Sequence, residues 1–331
     1  MPNYEIWKIR SGSGNTDAAV PWMCYMPVIP MTGLRPKEDS VYCHFIEGNG
    51  LKVMYDCGRA GSAVVNVQYT KGRSSPKSDL EEWGGGGPEE LRAVMKDQFG
   101  VDPDEVDYLV ASHLHTAWTW NVEAFPNAQL IVHRQEILAA WDTQPSHRFG
   151  VSREHVMKVL CRKEPDHLLI IDGDHEIAPG LQVVYTAGHT PGHLSMVVQT
   201  KKGKAALLGE LGFSYAHLYP GDMTILGPGL DKPLELGFAK GSHFAFGHNW
   251  DPTGEVKAIE RLRGMCDLMV PTCDNGSPKM MPEQWWKTPS LEYQKYVAET
   301  YKTYSPGVYP DVRPLLERRR KRLARGGKKQ K

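Results

Sequence analysis

The sequence contains no Cys-x-x-Cys pair. Its six cysteines (Cys24, Cys43, Cys57, Cys161, Cys266 and Cys273) are irregularly spaced, which excludes a zinc ribbon and supplies no disulfide framework. Reduced thiols are expected. No apolar run approaches the roughly 20 residues that cross a bilayer, and the opening MPNYEIWKIRSGSG has no long hydrophobic stretch. The reading is a soluble, cytoplasmic protein without a membrane partner. There is no internal repeat, and the 33 glycines and 24 prolines are scattered rather than massed, so turns and long loops between short elements are expected instead of a low-complexity tract.

Net charge is also lacking, at zero, but the balance hides an asymmetry. Residues 317–331 (ERRRKRLARGGKKQK) carry nine bases and one acid, a net of +8, which leaves −8 for the rest (0 minus 8). The tail over 306–331 reads as a disordered solubilising end, with nuclear targeting or contact with polyanions as the sharper alternative. Without aromatic residues or a recognition fold it implies no specific nucleic-acid partner.

What is present is a chain of 331 residues, 40% hydrophobic, enough for one large core. Residues 40–57 (SVYCHFIEGNGLKVMYDCG) predict two strands joined at Gly48-Asn49-Gly50, the start of a sheet. PEELRAVMKDQFG predicts a helix with acids in its first turn and Gly100 as its stop. VDYLVASH reads as strand, and AQLIVHRQEILAAW as strand passing into helix, the alternation of layered helices and sheet. From 168 onward LLIID, LQVVYTAGHTPGH, LSMVVQT and KAALLGE predict a second sheet. EVKAIERLRG predicts an amphipathic helix, DLMVPTCD a last buried strand, and 282–303 a helix. Residues 58–88, 142–165 and 211–250 read as loops.

Chemistry-bearing residues gather at predicted strand ends: Asp56 after VMY, His113 and His115 in SHLHTAW, His189 in TAGHTPGH, and Glu210 in ALLGE. Alternation along a strand sends the His113 and His115 imidazoles out of one face, an arrangement suited to a metal ion. Ala117 and Trp118, the next two positions where donors would be expected, have no lone pair to give a cation.

In their order and wording these segments resemble the metallo-β-lactamase superfamily, and within it the N-acyl-homoserine-lactone lactonases. The phrases SHLHTAW, NAQLIVHRQE, DGDHEIAPGLQVVYTAGHTPGH and NWDP before a helix carry the likeness, over about residues 40–276. The resemblance implies an α+β fold, a four-layer αββα sandwich, in one domain over 1–305 with the basic tail behind it. Its motif HxHxDH, then PGHTPGH, a bridging aspartate and a late histidine maps a first metal onto His113, His115 and His189, with Glu210 at the bridging carboxylate. The positions for a second metal fall on Ala117, Trp118 and Cys273, so one ion is expected.

Zn²⁺ is the expected cofactor, with Fe²⁺ or Mn²⁺ as alternatives. Three imidazoles with an open position lower the pKa of zinc-bound water to about 7. The implied work is lactonase-like hydrolysis of a small-molecule substrate, a cyclic ester, an amide or another small carbonyl compound, through a metal-bound hydroxide. A non-hydrolytic mononuclear iron or manganese enzyme and a catalytically silent ligand-binding protein are the alternatives.

Glu210 would complete the coordination or act as base, Asp274 is a substitute acid, and Trp118 fills the vacated volume as an aromatic wall. Asp56 and His193 are expected to support the site by hydrogen bonds. Where the lactonases place a tyrosine after the bridging carboxylate, this chain has Phe213, with Tyr215 two residues on as the candidate. Cys273 is either a soft ligand or inert packing. Oligomeric state is not set by one chain.

Overall fold

The computed structural model describes residues 3–14, 39–58, 87–144, 150–211 and 250–271. A six-stranded sheet is built in chain order from β1 (Glu5–Gly14), β2 (Asp39–Gly48), β3 (Leu51–Tyr55), β4 (Tyr108–Val110), β5 (Gln129–His133) and β6 (Leu168–Ile171). Its first three strands pair antiparallel and the rest parallel. A second sheet holds β7 (His175–Ala178), β8 (Leu181–Tyr185), β9 (Leu194–Thr200), β10 (Gly203–Leu207) and β11 (Leu268–Val270), in the order β11-β10-β9-β8-β7. Only its β10–β11 pair is parallel.

The apolar runs of the sequence become faces of four layers. Along β3, Val53 and Tyr55 point between the sheets, with Ile46, Val110, Ile131, Leu181, Val183, Leu194, Met196 and Val198. Met54 points the other way and packs with Phe45, Leu109, Leu130 and Val132. That outer core includes Leu91 and Met95 of α1 (Pro88–Phe99), Ala140 of α3 (Arg134–Trp141), and Val156 and Val159 of α4 (Arg153–Leu160). On the far side Val184, Val197 and Ala206 pack on Ala258, Ile259 and Leu262 of α5 (Pro252–Met265). The strands are therefore covered on both faces, which is why they read as continuous hydrophobic runs rather than alternating ones. The architecture is the expected αββα sandwich.

Local signals hold well. The turn at Asn49 (φ 52°) and Gly50 (φ 80°) joins β2 to β3 with both residues left-handed, the geometry a two-residue hairpin needs. Gly100 closes α1 at φ 65°, its N–H bonded to the Lys96 carbonyl.

Two expectations need correction, and one strand is new. LLIID does not begin the second sheet: β6 pairs in parallel with β5, Leu130 opposite Leu168, so the crossing to the second sheet comes after it. β1 is a strand of ten residues without a clear strand signal in the sequence. The segment 142–165 is not all loop, since α4 occupies Arg153–Leu160 and buries His155, Val156 and Val159. The helix expected over 282–303, the boundary at 305 and the basic tail lie outside the described residues. Among the described residues no helix is long and apolar enough to cross a membrane.

Two buried imidazoles make stability depend on pH. His44 lies between the sheets with neither ring nitrogen hydrogen-bonded among the described residues, and burial, with Lys8 nearby, lowers its pKa to about 3. Burial lowers His155 to about 4, although its Nε2 lies 2.7 Å from the Thr119 carbonyl. Unfolding returns both towards about 6.5, so the unfolded chain binds more protons below that pH. Their contribution is complete above about pH 6.5 and is lost as pH falls towards 4 and below. Each adds a slope of up to about 1.4 kcal/mol per pH unit. Denaturant titrations between pH 4.5 and 6.5 should show His44→Phe flattening the slope by that amount; an unchanged slope contradicts the assignment.

Candidate metal centre

Strand ends from both sheets meet at one edge of the sandwich. There the Leu194 N–H donates to the Ser112 carbonyl at 2.8 Å, and the Tyr55 hydroxyl donates to the Leu194 carbonyl at 2.9 Å, tying the sheets together. β4 ends at Val110, so His113 and His115 stand on the irregular segment after it rather than on the strand. Their convergence comes from that loop and from the short helix α2 (Thr116–Thr119) behind it, not from alternation along β4. His189 stands in the 186–193 loop between β8 and β9, and Glu210 in the 3₁₀ turn after β10.

These four side chains come together. One ligand atom from each of His113, His115, His189 and Glu210 lies within 4.8 Å of all the others, and all four residues are buried. Glu210 Oε2 is 3.0 Å from His113 Nε2, 3.4 Å from His115 Nδ1 and 3.0 Å from His189 Nε2. The rings of His113, His115 and His189 are close to mutually perpendicular, at 79°, 87° and 89°. Three nitrogens in different planes thus face one point, beside one carboxylate. That donor set fits one divalent cation.

The electrostatics favour a cation. Burial opposes the charge on Glu210, but His189 and the hydrogen bonds from the three imidazoles outweigh it and hold the carboxyl well below its ordinary range. Burial holds His113 well below its ordinary value despite the Glu210 contact, leaving it neutral. An anion and a neutral imidazole are the forms that bind metal. Ser112 Oγ sits 2.8 Å from His113 Nδ1, and a hydroxyl both donates and accepts, so it supports either ring tautomer.

His193 is buried among these groups but its nitrogens are committed. Its Nε2 accepts from the Glu210 backbone N–H at 3.2 Å, and its Nδ1 lies 3.0 Å from Thr186 Oγ1. It therefore has no lone pair for a cation and fixes the Glu210 backbone instead. Asp56, with φ 59°, accepts from the Ser112 N–H at 2.8 Å, and burial raises its pKa to about 8. Ala117 is half-buried on α2. Trp118 is almost wholly enclosed, with 1% exposure, and donates its indole N–H to Glu210 Oε2 at 2.5 Å. Phe213, Tyr215, Cys273 and Asp274 lie outside the described residues.

One buried carboxylate at this edge was not read from the sequence. Glu136, in the first turn of α3, accepts from the Leu114 N–H at 2.9 Å and the Gly192 N–H at 3.1 Å. It joins the HxH segment to the GHTPGH loop. Glu136 shares a buried helical face with Ala140, but in the sequence nothing separates it from an ordinary acid in the first turn of a helix.

Gly209 makes the turn that presents Glu210. Its φ is 58°, and a Cβ there would lie 2.7 Å from the Tyr55 hydroxyl and 2.8 Å from His193 Nε2. Gly209→Ala is expected to cost about 2–4 kcal/mol and to weaken cation binding by shifting Glu210. Thermal unfolding with a parallel Zn²⁺ titration checks this; wild-type values in both would contradict it.

An N-acyl homoserine lactonase, AiiA, from Bacillus thuringiensis subsp. kurstaki is 32% identical over 173 residues, 51% of this chain. The chain spans 62% of that relative's length. Among solved structures, an N-acyl homoserine lactone hydrolase with N-hexanoyl-L-homoserine at its catalytic metal centre superposes with a TM-score of 0.54. Its identity is 22%, over 83% of this chain and 94% of that one. AidC, a dizinc quorum-quenching lactonase, gives 0.54 at 13% identity, over 80% and 84%. These likenesses share the αββα fold. The family model described as the metallo-beta-lactamase superfamily matches residues 36–265, more than half of the chain, and by that match the chain belongs to the metallo-beta-lactamase superfamily.

Proposed function

We propose that this chain is a metal-dependent hydrolase that opens a lactone ring, with N-acyl homoserine lactones as the first substrate class to test. The observation that carries the reading is the convergence of three imidazoles and an ionised carboxylate on one buried point at the sheet edge. The relatives' names supply the substrate class. His113, His115, His189 and Glu210 would hold a single cation, Zn²⁺ first among the candidates, because two of the three positions for a second, Ala117 and Trp118, offer no donors.

When bound, the ion supplies a Lewis acid for the substrate carbonyl and a source of hydroxide near neutral pH. The chain's own groups do the rest. Glu210 would either complete the coordination or, held beside the ion instead, take the proton from the attacking water and pass it to the ring oxygen as the ester bond breaks. Ser112 keeps the His113 ring oriented through either tautomer, and His193 fixes the Glu210 backbone. Atoms balance as one water added per ring opened, to give a hydroxy acid. Tyr215 and Asp274 remain candidates for contact with the substrate carbonyl and for acid–base work.

The test uses full-length protein purified without chelators and N-hexanoyl homoserine lactone, with acid release followed by a pH indicator. Expected are turnover, its loss on metal removal and its return with Zn²⁺. Metal-loaded protein that leaves a panel of lactones intact contradicts the reading. Oxygen consumption by iron-loaded protein would favour non-hydrolytic chemistry, and tight ligand retention without turnover a binding protein.

A further inference from the structure

We propose that Trp118 is a positioning residue for the cation site: its indole N–H holds Glu210 Oε2 at the focus of the three imidazoles. The proposal rests on the metal-binding reading above and gives a role to a side chain that could not itself be a ligand.

Glu210 Oε2 has His113 Nε2 at 3.0 Å, His115 Nδ1 at 3.4 Å, His189 Nε2 at 3.0 Å and Trp118 Nε1 at 2.5 Å. A carboxylate oxygen cannot bond four donors well at once. The imidazoles have a second function, because a neutral ring can turn a lone pair to a cation. An indole nitrogen cannot: it donates or does nothing. Of the four contacts, only the indole bond is of a kind that a cation does not compete for.

The main chain that carries the indole is held independently of Glu210. The Trp118 carbonyl accepts from the Cys57 N–H at 2.9 Å and the Gly58 N–H at 2.6 Å. Its own N–H donates to the His115 carbonyl at 3.0 Å, and the Trp120 N–H donates to the Gly58 carbonyl at 3.0 Å. The segment after β3 thus clamps α2 from one side while the loop bearing His115 clamps it from the other. The ring stands 5.9 Å from that of His113. A donor enclosed to 1% exposure on a main chain held by these bonds, facing a buried carboxylate, makes a strong charge-assisted bond. Every buried indole needs some acceptor; here the acceptor is the one carboxylate of the donor set, so loss of the bond should register in cation affinity.

Trp118→Phe keeps an aromatic ring and deletes the donor. Zn²⁺ affinity of the full chain, read by competition with a chromophoric chelator, should fall about 10–100-fold, the usual cost of losing an outer partner of a ligand. Circular dichroism should be unchanged. Among the nine tryptophans, Trp118 should account for the emission change on adding Zn²⁺, which Trp118→Phe should abolish. A double-mutant cycle with Glu210→Gln separates mechanism from packing: if the indole acts through the carboxylate the two losses fall short of additive, and if it only fills space they add. Should Trp118→Phe fail to fold, β-(3-benzothienyl)alanine at position 118 keeps the bicyclic shape without the N–H and is read in the same way. Wild-type protein binding one Zn²⁺ while the variant binds it within about threefold as tightly overturns this proposal alone. Additive losses also overturn it alone. Wild-type protein binding no Zn²⁺ overturns the metal reading and this proposal together.

Discussion

His189→Ala should strip the cation from the protein and lower lactone turnover by at least about 10³-fold, well beyond the 10–100-fold that losing an outer partner of a ligand costs. The expectation follows from what His189 does in the cluster. Its Nε2 lies 3.0 Å from both Glu210 Oε2 and His115 Nδ1, so it contacts two of the other three donors. It is the strongest of the influences that keep the buried Glu210 carboxyl ionised. Without it the site loses an imidazole, and Glu210 loses the largest of the influences that lower its pKa. Elemental analysis beside a lactone assay checks both halves. A variant that keeps its metal, or that keeps turnover within tenfold, contradicts the ligand assignment.

Glu136→Ala should destabilise the fold by about 3–5 kcal/mol and weaken Zn²⁺ binding as a consequence. Two buried amides, of Leu114 and Gly192, lose their acceptor, at roughly 1–3 kcal/mol each, and the truncation leaves a void. Those amides lie within the segments that carry His113 and His115 on one side and His189 on the other, so their separation disperses the donors. Space is already tight there: a Cβ at Gly192 would lie 2.1 Å from the Glu136 backbone nitrogen. Glu136→Gln keeps one acceptor oxygen and should fall between the two. Urea titration with a parallel metal titration measures both effects. A Glu136→Ala variant within about 0.5 kcal/mol of wild type would show that the carboxylate bridges nothing of consequence.

What could be read from the sequence was local or worded as a motif. The turn at Asn49-Gly50 and the stop at Gly100 announce themselves because glycine and asparagine tolerate left-handed backbone. His113, His115, His189 and Glu210 could be named because the segments around them keep a recognisable wording, although His113 and His115 meet through a loop rather than through strand alternation. What was missed depends on distance. β1 finds its partner in β2 with residues 15–38 between them, and its mixed pattern of Ile6, Trp7, Lys8 and Ile9 has no clear period. β6 was assigned to the second sheet because a strand of four residues carries no mark of the neighbour it will pair with. Glu136 looked like an ordinary acid complementing the start of a helix. Its burial arises only when the loop bearing Gly192 closes over it. The bond from Trp118 to Glu210 spans 92 residues of chain, and no spacing rule could have indicated it.

On the reading proposed, three imidazoles and Glu210 hold one divalent cation and no second. Metal-to-chain stoichiometry of protein purified without chelators, by elemental analysis on a carefully measured protein concentration, tests it most directly. A ratio close to one is expected, falling towards zero in His189→Ala. A ratio close to two, or no bound metal after exposure to Zn²⁺, would contradict it.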